Sequence, residues 1–180
     1  MIPTTDTAEA WMHSAPHVPA EWFNHASHLH TVRHTQRVHI HAQRLLRALA
    51  WPDEDAELAL SAALWHDIGR TDDSWDPDHG ALSARRAVAL GLTGALTEAQ
   101  AGVVLFAVRF HSLGDLAGEE QAPFETDPAR ALGILRLLKD ADALDRVRLA
   151  DWEGPDPAQL RNSEAIDMIP FARELYLALR

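Results

Sequence analysis

Residues 53–70 of the 180-residue chain read DEDAELALSAALWHDIGR, and this stretch shows the pattern that decides the fold. Its apolar residues recur mostly at intervals of three and four, which is the spacing of one face of an α-helix. Gly69 ends the segment, since glycine commonly terminates helices. The stretch therefore predicts a helix over residues 54–68 that buries one face and carries His66 and Asp67 at its C-terminal end.

The same periodicity recurs along most of the chain, and strand-like alternation is poor throughout. Helices are predicted over residues 27–50, 54–68, 78–90, 97–110, 128–150 and 163–180. The last of these is interrupted or entered at Pro170, and residues 70–77 and 114–127 are predicted to be loops. We expect an all-α fold, a compact single-domain helical bundle over residues 27–180. Residues 1–26 are expected to form an N-terminal arm or a short helix.

The composition excludes several classes of function. Sixteen basic and 27 acidic residues give a formal net charge of −11, which argues against binding a nucleic-acid polymer. Cysteine is absent, so disulfides, thiolate metal sites and cysteine nucleophiles are excluded. No apolar run has membrane-spanning length and no signal peptide is visible, so we expect a cytoplasmic protein without a membrane partner. Eleven histidines favour a metal site with imidazole and carboxylate ligands. Homo-oligomerisation is left open.

Four predicted helices each place one metal-type ligand on the apolar face near an end. These residues are His34, His66, His111 and Asp142. A carboxylate on an apolar face is costly unless it is paired or metal-bound. Asp145 shares the face of Asp142 one turn on, so the two remain alternatives, whereas Asp140 lies off that face and is expected to be solvated. Any single histidine could be a hydrogen-bonded core residue, but the convergence of the set indicates a metal site.

Three short motifs in a fixed order carry a resemblance to a known family. They are HTQRV at residues 34–38, HDIGR at residues 66–70 and KDADALDR at residues 139–146. Together they resemble the HD superfamily of metal-dependent phosphohydrolases, in which HDIG is one form of the naming motif. The resemblance covers residues 27–150 and implies a helical domain of the HD type.

The resemblance implies that a divalent metal ion is held by His34, His66, Asp67 and Asp142. Some HD subfamilies use further histidines, between the histidine–aspartate pair and the last aspartate, to hold a second metal that the aspartate of the pair bridges. His79 and His111 fit that order, so one or two ions are expected, and manganese, iron, cobalt, nickel and zinc all suit such ligands. The competing interpretation is that His79 only begins a helix and His111 contacts substrate.

Other polar residues near the motifs are candidates for catalysis and substrate binding. Asp72 and Asp73 follow the histidine–aspartate pair and are candidate catalytic residues together with Asp67, because a carboxylate can orient water or transfer a proton. The alternative for this loop is simple solvation and helix capping. A guanidinium group matches the geometry of phosphate oxygens, although it can equally form a surface salt bridge. The candidate substrate-binding arginines are Arg37, Arg70 and Arg109.

The remaining histidines are expected to lie mostly on the solvated surface. They are His13, His17, His25, His28, His30, His39 and His41. Those within residues 25–30 could border the site. Trp65, Trp75 and Phe110 flank the ligands and could stack on a base, although large aromatic residues beside a helix motif more often belong to the core.

The predicted function is hydrolysis of a small phosphorylated metabolite, with a nucleotide as the leading candidate; the substrate class is implied by the resemblance. A metal held by imidazoles and carboxylates lowers the pKa of bound water and polarises a phosphoryl oxygen. No protein nucleophile is then required, in agreement with the missing cysteine. Two alternatives stay open: an HD-fold diiron oxygenase similar to myo-inositol oxygenase, and a non-catalytic module that binds metal and nucleotide.

Overall fold

The computed structural model describes residues 6–27, 29–149 and 154–180, and in these ranges every regular element is a helix. The α-helices are α1 (Ala8–Met12), α2 (Val32–Ala48), α3 (Asp53–Trp65), α4 (His79–Ala89), α5 (Glu98–Phe110), α6 (Asp115–Gln121), α7 (Pro128–Leu144), α8 (Ser163–Asp167) and α9 (Ile169–Ala178). Short 3-10 helices cover Ala20–Trp22, Leu92–Ala95, Ala122–Phe124, Asp145–Arg148 and Pro157–Gln159. The predicted all-α fold is confirmed.

Local signals in the sequence account for most helix boundaries. The Thr31 side chain accepts a hydrogen bond from a backbone N–H of the first turn, so α2 begins at Val32 rather than near residue 27. Thr97 and Gln100 form a reciprocal capping box at the start of α5. Pro128 occupies the first turn of α7, where its missing N–H costs nothing. These three helices therefore begin where their caps dictate.

The predicted loop over residues 114–127 contains α6 and the turn Ala122–Phe124, so that prediction is wrong. Gly118 of α6 lies so close to α7 that an added Cβ would be 2.5 Å from Leu135 Cδ2. Packing against α7 holds α6 in place, because a helix of 7 residues is too short to be stable on its own. The sequence pattern alone therefore does not reveal this helix.

The main core lies where α2, α3, α5 and α7 pack together, with α4 packed on α5. Its buried side chains include Val38, Leu45, Leu58, Val104, Ile134 and Leu138. A smaller apolar cluster, containing Trp11, Ile40 and Phe171, joins α1 to α9 and to the outer face of α2. Pro170 lies in the first turn of α9, which separates α8 from α9 as the sequence predicts. Within the described part of the chain, no helix is both long and apolar enough to cross a membrane.

Two glycines bring α4 close to its neighbours. An added Cβ at Gly69 would lie 2.2 Å from the backbone nitrogen of Ser83, and the Gly69 N–H donates to the Ser83 hydroxyl at 3.0 Å. An added Cβ at Gly80 would lie 2.6 Å from the carbonyl oxygen of Arg109 and 2.7 Å from that of Val108. Because no side chain larger than hydrogen fits, the start of α4 sits directly against the C-terminal end of α5.

Candidate metal centre

The ends of five helices converge and bring the predicted ligands together. His34 lies in the first turn of α2, and His66 and Asp67 directly follow α3. His79 begins α4 and His111 ends α5, while Asp142 lies in the last turn of α7. The helix ends that the sequence analysis singled out therefore meet at one place.

The first cluster contains His34, His66, Asp67 and Asp142. The His34 Nε2 atom lies 3.1 Å from His66 Nε2 and 3.3 Å from Asp142 Oδ1. Oδ2 of Asp67 lies 3.4 Å from His34 Nε2 and 3.5 Å from His66 Nε2. His34, His66 and Asp142 thus form one group that could hold a cation, and Asp67 lies within 3.5 Å of both histidines.

The second cluster contains His79, His111 and the same Asp67. Oδ1 of Asp67 lies 3.2 Å from His79 Nε2 and 3.7 Å from His111 Nε2, and the two histidine nitrogens are 3.0 Å apart. Asp67 is 3% exposed and turns one oxygen toward each cluster. This carboxylate therefore joins two groups of residues that could each hold a cation.

The other ring nitrogen of each histidine fixes its tautomer. His66 Nδ1 donates to the Ala63 carbonyl at 2.8 Å and His111 Nδ1 to the Val108 carbonyl at 2.7 Å, while His79 Nδ1 donates to the Asp76 carbonyl. A carbonyl oxygen can only accept, so each Nδ1 carries the proton and each Nε2 presents a lone pair to the centre. Such outward hydrogen bonds are typical of metal-binding histidines, so the donor set fits a cation.

His34 differs in that its Nδ1 donates to a carboxylate, Asp145 Oδ2, at 2.7 Å. Burial alone would lower the pKa of His34, but the hydrogen bonds to Asp142, Asp145 and Asp67 raise it to about 9. Burial lowers the pKa of His66 to about 3. With their Nε2 atoms 3.1 Å apart, the two rings share one proton between them, and a divalent cation can take the place of that proton.

Asp145 and Asp140 have structural partners. Asp145 accepts two hydrogen bonds from Arg37, at 2.6 Å from Nε and 3.0 Å from Nη2, and is fully buried behind His34. Asp142, rather than Asp145, therefore faces the cluster. Asp140 is fully buried and accepts backbone N–H groups of Arg161 and Asn162, so the expectation that it is solvated is wrong. A distant segment supplies these partners, which local periodicity cannot show.

A cleft of about 470 Å³ opens above the two clusters. Asp67, His79, His111 and Asp142 line it, and His34 and His66 lie buried beneath. Asp73 and Arg70 also line the cleft, with Arg70 Nε donating to Asp67 Oδ1 at 3.1 Å. Asp72 is exposed, outside the lining, and accepts the backbone N–H of Ser74.

Arg37 and Arg109 are not brought to the cleft. Arg37 is buried, and besides Asp145 it donates to the backbone carbonyl of Leu179 at 2.7 Å, so its donors face the protein interior. Arg109 is exposed at a separate cavity between α4 and α5, where its guanidinium lies 5.3 Å from the ring centre of Phe110. Of the three arginines predicted to bind substrate, Arg70 alone is among the residues that line the cleft.

His30, one of the histidines expected to be able to border the site, lies beside Asp67. Its Nδ1 lies 2.7 Å from Asp67 Oδ2, and it lines the cleft. The signal in the sequence is its place near the start of the helix that carries His34. Among the aromatic candidates, Trp75 lines the cleft and is 87% exposed, whereas Trp65 and Phe110 are buried in the core.

The other histidines divide into exposed and buried ones. His13 and His17 are exposed, as expected, His25 is partly buried and His28 lies outside the described residues. The expectation of a solvated surface position is wrong for His39 and His41, which are 7% and 0% exposed. Both lie on α2, which α3 and α7 cover on one side and α8 and α9 on the other. The face that appears free in the sequence is thus covered by the C-terminal helices.

Comparison with known proteins agrees with this geometry. The sequence model of one family, described as the HD domain, matches residues 31–147. No curated protein and no solved structure matches the chain. The matched region includes every residue of the two clusters and covers well over half of the sequence. On the motifs, the helical fold and this match, the chain belongs to the HD domain family.

Proposed function

We propose that the chain is a metal-dependent phosphohydrolase that acts on a small phosphorylated metabolite, with a nucleotide as the leading class. The observation that carries the proposal is the position of Asp67, whose two oxygens face two separate groups of histidines. A carboxylate placed between two groups of imidazoles suits a site with two metals, which can stabilise both the attacking and the leaving oxygen. The family membership supports the same class of reaction.

Two divalent cations fit this ligand set, one at each cluster. His34, His66 and Asp142 would hold the first, His79 and His111 the second, and Asp67 would serve both. Bound there, the cations would lower the pKa of a coordinated water and polarise a phosphoryl oxygen. The borderline nitrogen and oxygen donors suit manganese, iron, cobalt, nickel or zinc.

The protein's own residues orient the bridging carboxylate and the cleft wall. The Arg70 guanidinium donates to Asp67 and to the Ser74 carbonyl, so it holds Asp67 in place rather than offering a free face to phosphate. Asp73 lines the cleft and accepts the hydroxyl hydrogen of Ser27, which also accepts the backbone N–H of His30. We therefore assign the water-orienting role to Asp73, and not to the exposed Asp72, together with the bridging role of Asp67.

The test is metal content and phosphate release in matched variants. Manganese-loaded wild type is expected to retain two equivalents and to release phosphate from p-nitrophenyl phosphate and from nucleoside monophosphates. Asp67→Ala should lose both metals and all turnover, and His79→Ala should lose one metal. His13→Ala, which changes an exposed histidine outside the site, is the control.

Three results would contradict the proposal. Full phosphate release by Asp67→Ala would remove its basis. Oxygen uptake by the ferrous protein, in place of phosphate release, would support an oxygenase with the same ligands. Saturable nucleotide binding without any product, across all five metals, would support a non-catalytic binding module.

A further inference from the structure

The cleft above the metal centre is lined by five cationic side chains, and their partners differ. Three of them form ion pairs with carboxylates at hydrogen-bonding distance. Arg70 pairs with Asp67, Lys139 Nζ lies 2.7 Å from Asp115, and Arg161 pairs with Asp115 and Asp140. These three cations are therefore largely neutralised by the protein itself.

The other two cations, Arg146 and Arg148, lie on the 3-10 helix Asp145–Arg148 that directly follows α7. The Arg146 side chain is exposed, and among the described residues no hydrogen bond or ion pair engages it. It does not pair with Asp142, four residues earlier, although that separation brings side chains together on a continuous helix. Its guanidinium is thus available to a ligand in the cleft.

Arg148 is buried at the wall of the same cleft, with its side chain 8% exposed. One terminal nitrogen donates to the backbone carbonyl of Asp145 at 3.2 Å and lies 3.8 Å from the carboxylate oxygen Oδ2 of the same residue, but the Nε atom is buried without a hydrogen-bond partner among the described residues. The carboxylate of Asp145 already accepts two hydrogen bonds from Arg37 and one from His34. The wall formed by this turn therefore carries surplus positive charge and an unsatisfied N–H group.

A buried guanidinium N–H without a partner is costly, and an anion is the group that would satisfy it. The metal clusters would engage one phosphoryl group, and the two arginines line the same cleft from the turn that follows Asp142. We propose that Arg146 and Arg148 form a second anion-binding subsite, which selects substrates with two anionic groups joined by a spacer. This inference rests on the proposed phosphohydrolase function and deepens it by defining the substrate class.

The test uses a matched pair of ligands that no phosphatase hydrolyses, propane-1,3-bisphosphonate and propylphosphonate. They differ only in the second anionic group. Calorimetric titration of the manganese-loaded wild type should give about tenfold tighter binding of the bisphosphonate, which is the effect of one charge-assisted hydrogen bond. Arg146→Gln should abolish that preference and leave the affinity for propylphosphonate unchanged. Arg85→Gln is the control, because it removes an exposed arginine at the other cavity, between α4 and α5; this variant should keep the preference for the bisphosphonate.

Turnover provides a second, independent measurement. Arg146→Gln should leave kcat and KM for p-nitrophenyl phosphate, which has a single anionic group, within twofold of wild type. The proposed subsite would be contradicted if the wild type bound the two phosphonates with equal affinity. It would also be contradicted if Arg146→Gln weakened the binding of both ligands by the same factor. If no phosphate ester is hydrolysed while the bisphosphonate preference persists, the subsite stands and the phosphohydrolase function fails. If hydrolysis proceeds without that preference, only the subsite fails.

Discussion

Replacement of Gly80 by alanine is expected to disable the second metal cluster while sparing the first. The new Cβ would lie 2.6 Å from the Arg109 carbonyl oxygen and 2.7 Å from that of Val108. Carbon and carbonyl oxygen normally approach no closer than about 3.3 Å, so the two backbones must separate by about 0.7 Å. His79 immediately precedes Gly80, and the Val108 carbonyl accepts the Nδ1–H of His111. Both histidines of the second cluster therefore move.

A displacement of this size is expected to lower activity by up to about 100-fold, because a misplacement of about 1 Å can cost that much in rate. We expect Gly80→Ala to retain one manganese equivalent where the wild type retains two. Overpacking of this contact should also destabilise the fold by about 1–3 kcal/mol. Elemental analysis after gel filtration measures the metal, p-nitrophenyl phosphate turnover measures the activity, and urea unfolding measures the stability.

Gly94→Ala is the matched control, because an added Cβ at Gly94 has no atom within 4 Å. It should retain both metals and wild-type turnover. If Gly80→Ala keeps two metal equivalents and full activity, the close approach of α4 and α5 does not position the second cluster, and the reasoning is refuted.

Three further results are expected. Asp145→Asn should destabilise the protein by about 3–5 kcal/mol in urea unfolding, because Arg37 is left buried without its carboxylate. The same change should weaken metal binding by about 10–100-fold, since Asp145 orients His34, and unchanged manganese affinity would contradict this role. Burial lowers the pKa of His41 to about 4 from an ordinary 6.5, so the unfolded chain binds the proton first and stability falls as the pH drops from 6.5 toward 4. His41→Phe should therefore remove about 2 kcal/mol of the stability lost between pH 7.5 and pH 5.0, and identical pH profiles in urea unfolding would exclude that origin. Protein in a metal concentration one hundred times the Kd should have a free energy of unfolding about 2.7 kcal/mol higher than the same protein treated with a chelator. An equal Tm in the two samples would show that the folded state does not bind the metal.

Much of the fold and of the metal centre could be predicted from the sequence because both depend on local signals. The capping box of Thr97 and Gln100 and the proline that begins α7 fix helix starts within a few residues. Helical periodicity also shows which face of each helix is apolar, and the ligands His34, His66, His111 and Asp142 lie on those faces. Once several such ligands occur at the ends of successive helices, their convergence follows from the packing of a helical bundle.

The features that could not be predicted depend on contacts between distant parts of the chain. Asp140 is off the apolar face of α7, and its burial comes from backbone N–H groups more than twenty residues later. His41 faces the aromatic ring of Phe171 on α9, which no local pattern of α2 reveals. Arg37 is a phosphate-binding candidate in the sequence because a guanidinium group matches phosphate oxygens, yet its partner Asp145 comes from the far end of the domain.

The ligands that meet at the metal centre are spread across residues 34–142, so a bound cation links helices that are far apart in the chain. In a protein without cysteine, such a cation would give a reversible cross-link that closes long loops in the way a disulfide does. Opening of α4 alone would remove His79 and so break only the link through the second cluster. Opening of α2 or α7 would remove His34 or Asp142 and so break the link through the first cluster. Metal loading should therefore slow amide hydrogen exchange in α2, α3 and α7 together, as one cooperative unit.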